Sequence, residues 1–189
     1  MSAQTQQIAD HNPIVMKQRQ APLRTLYATD PGQAWITDSA TTSSDDVDTA
    51  QAIHGQVVIG GDAPVRLDTG NHVAIGGDSD LPNPGEILAA ALAVCFDSTI
   101  RIVANLMSVR LTHLKVSVDF RVDVRGTLMV DRSVPVGFQE ADVCVHMSGD
   151  GANQAQLDMV LMAAEKCCVV MQTLRNPPAL RVSRTASIN

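Results

Sequence analysis

Between residues 113 and 125, HLKVSVDFRVDVR, apolar and polar side chains alternate with a period of two. Leu114, Val116, Val118, Phe120, Val122 and Val124 therefore share one face of a predicted strand. The segment QEADVCVHMS at 139–148 repeats the pattern. Two long strands with one wet face predict an antiparallel sheet. Shorter strand-like runs lie near 53–59 and 64–67. Residues 21–37, APLRTLYATDPGQAWIT, set two strand-like runs about Asp30-Pro31-Gly32 and predict a hairpin. Residues 1–20 are polar and patternless and read as a disordered arm. Residues 37–51, rich in Ser, Thr and Asp, read as a long polar loop.

The period then changes. Asn83-Pro84-Gly85-Glu86 offers a cap, a proline suited to the first helical position and a carboxylate three residues after the cap. The helix that follows is expected to reach about Met107. Its first turns, ILAAALAVCF, are apolar on every side, which predicts burial on all faces. A second helix is expected from about Asn153 to Arg175, stopped by Asn176-Pro177-Pro178. The segment ALRVSRT reads as a last strand. Strands, helix, strands, helix, strand is the order of an α+β domain, a sheet packed on two central helices, and residues 21–189 are long enough for one such domain.

Composition narrows the function. Fourteen Lys and Arg against twenty Asp and Glu give a net charge of −6, with one Trp, one Tyr and three Phe. A chain without a basic field and with so few stacking rings is expected to be a poor nucleic-acid binder. The longest unbroken apolar run, Ile87 to Phe96, has ten residues, against about 20 for a membrane span. No secretory pattern opens the sequence, so a cytoplasmic setting is expected. There Cys95, Cys144, Cys167 and Cys168 are not expected to form a structural disulfide framework.

The candidate chemistry is cysteine chemistry. Cys95 lies in the third turn of the apolar helix. It is either a small buried hydrophobe or half of a reactive pair, and the helix dipole does not reach that far. At 100° per residue, Cys168 falls on the apolar stripe of Leu157, Leu161 and Ala164, with Cys167 at its margin. A core-facing cysteine on each of two packed helices is also how a dithiol is assembled. Cys144 and His146 point to the wet face of their strand. No CxxC or HExxH spacing supports zinc at these residues, and no metal or cofactor is expected. Glu86 is accounted for as a cap, and it sits on the opposite side of the helix from Cys95.

The segments NPGEILAAALAVCF and AAEKCCVVMQTLR resemble the two signature helices of the OsmC-like family, over about residues 54–185. The resemblance implies an intertwined homodimer whose sheets wrap two central helices. It implies a thiol peroxidase for organic hydroperoxides, with Cys95 as the peroxidatic and Cys168 as the resolving cysteine. An external dithiol, typically a lipoyl group, would restore the pair. Glu86 and Arg24 are the candidates for a supporting carboxylate and guanidinium. The sequence departs from the family pattern at Gly85, where hydroperoxide resistance members carry the acid, at Cys167 in place of His or Tyr, and at Val169 in place of Pro. The alternative is a non-catalytic member holding a small hydrophobic ligand in the interface pocket.

Overall fold

The computed structural model describes residues 15–43 and 52–184. Helix α1 is Met16–Thr29, followed by a 3-10 turn at Pro31–Ala34. Strands β1 (Ala40–Thr42), β2 (His54–Ile59) and β3 (Val65–Gly70) form one antiparallel sheet in that order. Helix α2 (Pro84–Leu106) comes next, then strands β4 (Leu111–Arg121) and β5 (Glu140–Gly149), which pair antiparallel as a second sheet. Helices α3 (Gln154–Cys167) and α4 (Val169–Arg175) end the ordered elements. The α+β class and the antiparallel sheets agree with the sequence pattern.

The core is one cluster. Leu92, Phe96, Ile100, Val103 and Ala104 of α2 meet Leu157, Val160 and Ala164 of α3, with Cys168 and Met171 beyond. The alternating apolar residues of the second sheet close over it. Val116 pairs with Val145, Val118 with Val143 and Leu114 with Met147, so each strand's apolar face lands on the same side. Helix α2 starts where the cap chemistry places it. The Asn83 side chain accepts from the Gly85 and Glu86 N–H groups, and the Glu86 carboxylate accepts from the Asn83 N–H at 2.9 Å.

Several expectations are corrected. The segment at 21–37 is not a hairpin: its first half belongs to α1, a helix that buries none of its residues. Short apolar runs do not distinguish strand from helix, and the Gln, Arg, Leu, Ala and Met side chains here are good helix formers. The turn chemistry at Asp30-Pro31-Gly32 is present, with the Asp30 carboxylate accepting from the Gly32 N–H at 3.2 Å, but it ends a helix. Residues 16–20 of the expected arm open α1, and residues 1–14 lie outside the described residues. The expected polar loop contributes β1, which pairs with β2, and residues 44–51 lie outside the described residues. Residues 180–184 form no strand, and Leu180 and Val182 are almost fully exposed. An alternating pattern makes a strand only where a sheet edge is offered to it.

Helix α2 is not buried on all sides within one chain. Ala90, Ala91 and Val94 face outward, Val94 with 67% of its surface exposed. By length and composition α2 could also cross a membrane, which the run-length reading overlooked because Asp97 and Arg101 interrupt the apolar stretch. Those two residues pair with each other one turn apart, and the helix packs its buried stripe on β4, α3 and α4.

The second helix is broken in two. Cys168 adopts φ −72° and ψ 109°, extended rather than helical. The N–H of Cys168 closes the last bond of α3 onto the Ala164 carbonyl, and the Cys168 carbonyl accepts the first bond of α4 from the Gln172 N–H, both at 2.9 Å. Val169 is thus the first residue of α4, where a proline would lose no helical bond. Cys168 already has the extended backbone that a following proline demands. The departure from the family's proline at Val169 therefore leaves the break intact. Val169→Pro is expected to fold normally and to stabilise the chain by about 0.4–1 kcal/mol, by restricting the unfolded chain. Urea unfolding of the two proteins checks this, and a destabilised variant would show that the N–H of Val169 is needed.

Candidate active site

The break sets Cys168 against α2. Its sulfur lies 3.4 Å from the sulfur of Cys95, across 73 residues of sequence. Both thiols are free. A disulfide is about 2.05 Å long, so the pair needs a local approach of little more than an ångström. Cys95 is placed by the apolar packing of α2, and the Thr99 hydroxyl donates to its carbonyl at 2.7 Å. Cys168 is placed by the end of α3 and the start of α4.

The two sulfurs differ in access. Cys95 is half-buried, while Cys168 is fully buried with no exposed surface. Burial pushes the Cys168 thiol above its ordinary value; N–H groups at the start of α4 offset this in part, and the neighbouring Cys95 thiol adds to the rise. Cys168 is therefore held as a neutral thiol near pH 7, out of reach of solvent molecules, and Cys95 is the one a small molecule can approach.

The supporting residues fall elsewhere. Glu86 remains in the capping box of α2, about 13 Å along the axis from Cys95 by helical rise. Arg24 is exposed on α1, where its guanidinium donates to the Gln20 side-chain carbonyl at 3.3 Å. Among the described residues, no guanidinium hydrogen-bonds either sulfur. Cys144 and Cys167 are exposed, and the Cys144 sulfur lies 3.4 Å from Nε2 of His146. Among the described residues, no group of three or more His, Cys, Asp or Glu side chains is placed to hold a metal ion.

Two hollows border α2. One, of about 970 Å³, lies at its N-terminal end, lined by Leu88, Val118, Phe120, Val122 and Phe138 with Glu86 at its edge. The other, of about 530 Å³, is lined by Leu92 and Phe96 of α2, Val143 and Val145 of β5, and Leu161, Glu165 and Met171 about the helix break; neither cysteine lines it. Neither hollow nor the helix break was legible beforehand. The hollows arise from surfaces brought together by folding, and the sequence across the break, Lys166-Cys167-Cys168-Val169-Val170, contains no Gly or Pro to announce it.

The fold has known counterparts. An organic hydroperoxide resistance protein from Elizabethkingia anophelis superposes with a TM-score of 0.56 at 18% identity, covering 76% of this chain and 91% of that one. A Legionella pneumophila structure, described as an organic hydroperoxide resistance protein OsmC and predicted redox protein, gives 0.54 at 21% identity, covering 75% and 90%. An OsmC-like protein of unknown function from Vibrio cholerae gives 0.59 at 10% identity, covering 74% and 94%. At these identities the likeness is one of fold. No curated protein matches the sequence. The profile of the family described as OsmC-like protein matches residues 76–183. That span takes in both cysteine-bearing segments and more than half of the chain, and the chain belongs to the OsmC-like family.

Proposed function

We propose that this protein is a thiol peroxidase that reduces organic hydroperoxides through Cys95 and Cys168. The observation that carries this reading is the 3.4 Å approach of one accessible and one buried thiol. The thiolate of Cys95 attacks the distal oxygen of the hydroperoxide. The O–O bond breaks, the alcohol leaves after taking a proton, and Cys95 becomes a sulfenic acid. The thiolate of Cys168 then attacks that sulfur and expels water, forming the disulfide. An external dithiol such as a lipoyl group returns both sulfurs to thiols. Every electron passes through sulfur, so the proposal needs no metal or bound cofactor. A cytoplasmic setting, where thiols are kept reduced, belongs to the proposal.

A homodimer is part of it. Ala90, Ala91 and Val94 form an apolar outward face on α2, and Val57, Val58 and Leu67 of the first sheet are only half covered within one chain. Apolar faces of this kind are covered in a stable assembly. A second reading is favoured by the larger hollow and by the lack of a cation on Cys95 among the described residues. In it the protein holds a small hydrophobic ligand and the cysteines pack.

Turnover of cumene hydroperoxide with dihydrolipoamide separates the two readings. Cys95→Ser is expected to reduce the rate to that of the dithiol alone. Cys168→Ser is expected to retain the first step and accumulate a sulfenic acid that dimedone traps. Wild-type turnover that survives Cys95→Ser would end the peroxidase reading.

The pH dependence has a defined sign. Only the thiolate of Cys168 closes the disulfide, and burial reduces its thiolate fraction at a given pH. The closing phase in stopped flow should therefore rise with pH and keep rising above about 8.5, where an exposed thiol levels off. A plateau below that value would contradict it.

Val94→Asp places a charge on the outward face of α2. It should shift the protein to monomer in sedimentation equilibrium, and an unchanged mass would remove this face from the assembly.

A further inference from the structure

In an unbroken helix the Glu165 carbonyl would accept from the N–H of Val169, four residues on. The extended backbone of Cys168 interrupts that ladder. The carbonyl is taken instead by a side chain: Nε2 of Gln172 donates to it at 2.7 Å, in a half-buried setting. One turn further along α4, Nη2 of Arg175 lies 3.2 Å from the Glu165 carboxylate. Gln172 and Arg175 are three residues apart and so share a face of α4. Glu165, three residues before Cys168, is thus gripped twice from the far side of the break. The ion pair is more than half exposed on the Arg175 side, where screening weakens it. The amide bond is the stronger tie, because its loss leaves a half-buried carbonyl without its partner.

We propose that Gln172 is a positioning residue for the Cys95–Cys168 disulfide: by bonding the Glu165 carbonyl across the helix break, it holds α4 at the angle that keeps the Cys168 sulfur within reach of Cys95. The inference rests on the redox pairing proposed above and names the part of the fold that sets its reach. A bond that merely mends the break would stabilise the dithiol and disulfide forms alike. A positioning bond favours closure, and only that role changes the redox equilibrium.

The test uses the full chain carrying Cys144→Ser and Cys167→Ser, so that one pair alone can close. It is equilibrated with reduced and oxidised glutathione. One oxidised glutathione and the two protein thiols exchange for the protein disulfide and two reduced glutathiones, and alkylation with mass spectrometry reads the ratio. Gln172→Leu removes the donor. Gln172→Glu keeps the shape but, when ionised, only accepts. Each should shift the equilibrium toward the dithiol by about tenfold, the factor that about 1.4 kcal/mol produces. Arg175→Gln should shift it by less than about twofold, as befits an exposed ion pair. If Gln172→Leu does not fold, Gln172→Glu carries the test. A folded variant whose equilibrium stays within twofold of the parent, or moves toward the disulfide, overturns the proposal. No peroxide enters this measurement. Absent hydroperoxide turnover would therefore remove the activity alone, and an unmoved equilibrium with turnover intact would remove the role of Gln172 alone.

Discussion

The packing of α2 against α3 through one shared, buried apolar cluster is the constraint from which the site follows. Phe96 and Ile100 on one helix and Val160 and Ala164 on the other are almost wholly buried. Close-packed interiors tolerate little displacement. The positions of Cys95 and Cys168 are therefore set by their neighbours, and two side chains 73 residues apart meet at 3.4 Å. The second sheet closes the other side of α2 with a continuous apolar face, so the pair sits at the edge of a protected core.

Within that frame, the helix break gives the two thiols different environments. Cys168 ends α3 and precedes α4, buried and held neutral by its surroundings. Cys95 lies within an intact helix, packed against the core yet partly open. Two chemically identical side chains thus acquire different accessibilities, and burial makes Cys168 reluctant to ionise. Such a division suits a sequence in which one sulfur meets an outside oxidant and the other responds from within. The OsmC-like fold supplies the frame, and the residues around the break supply the asymmetry.

The single chain also leaves unfinished surfaces. Helix α2 turns Ala90, Ala91 and Val94 outward, and Leu180 and Val182 stand almost fully exposed. Among the described residues, no cation bonds the Cys95 sulfur. The pattern at 21–37 puts Arg24 on the first strand of a hairpin; α1 instead places that guanidinium beside Gln20, one turn back on an exposed helix. The same local patterns that read well for the long strands read poorly there. A seven-residue apolar–polar run satisfies strand and helix alike, and tertiary contact decides between them.

The sequence by itself determined the elements whose signals are local. The period-two runs of β4 and β5, the Asn83–Glu86 capping box and the two cysteine-bearing motifs are written in neighbouring residues. So was the choice of Cys168 over Cys167, because the 100° step of a helix puts Cys168 on the core side. The tertiary structure alone decided the sulfur separation, the break at Cys168 and the tie from Gln172 to Glu165. Each depends on how elements distant in sequence press on one another. A helix with no Gly or Pro to stop it bends out of register only where the packing on both sides makes an extended residue the better fit, and no local pattern carries that balance.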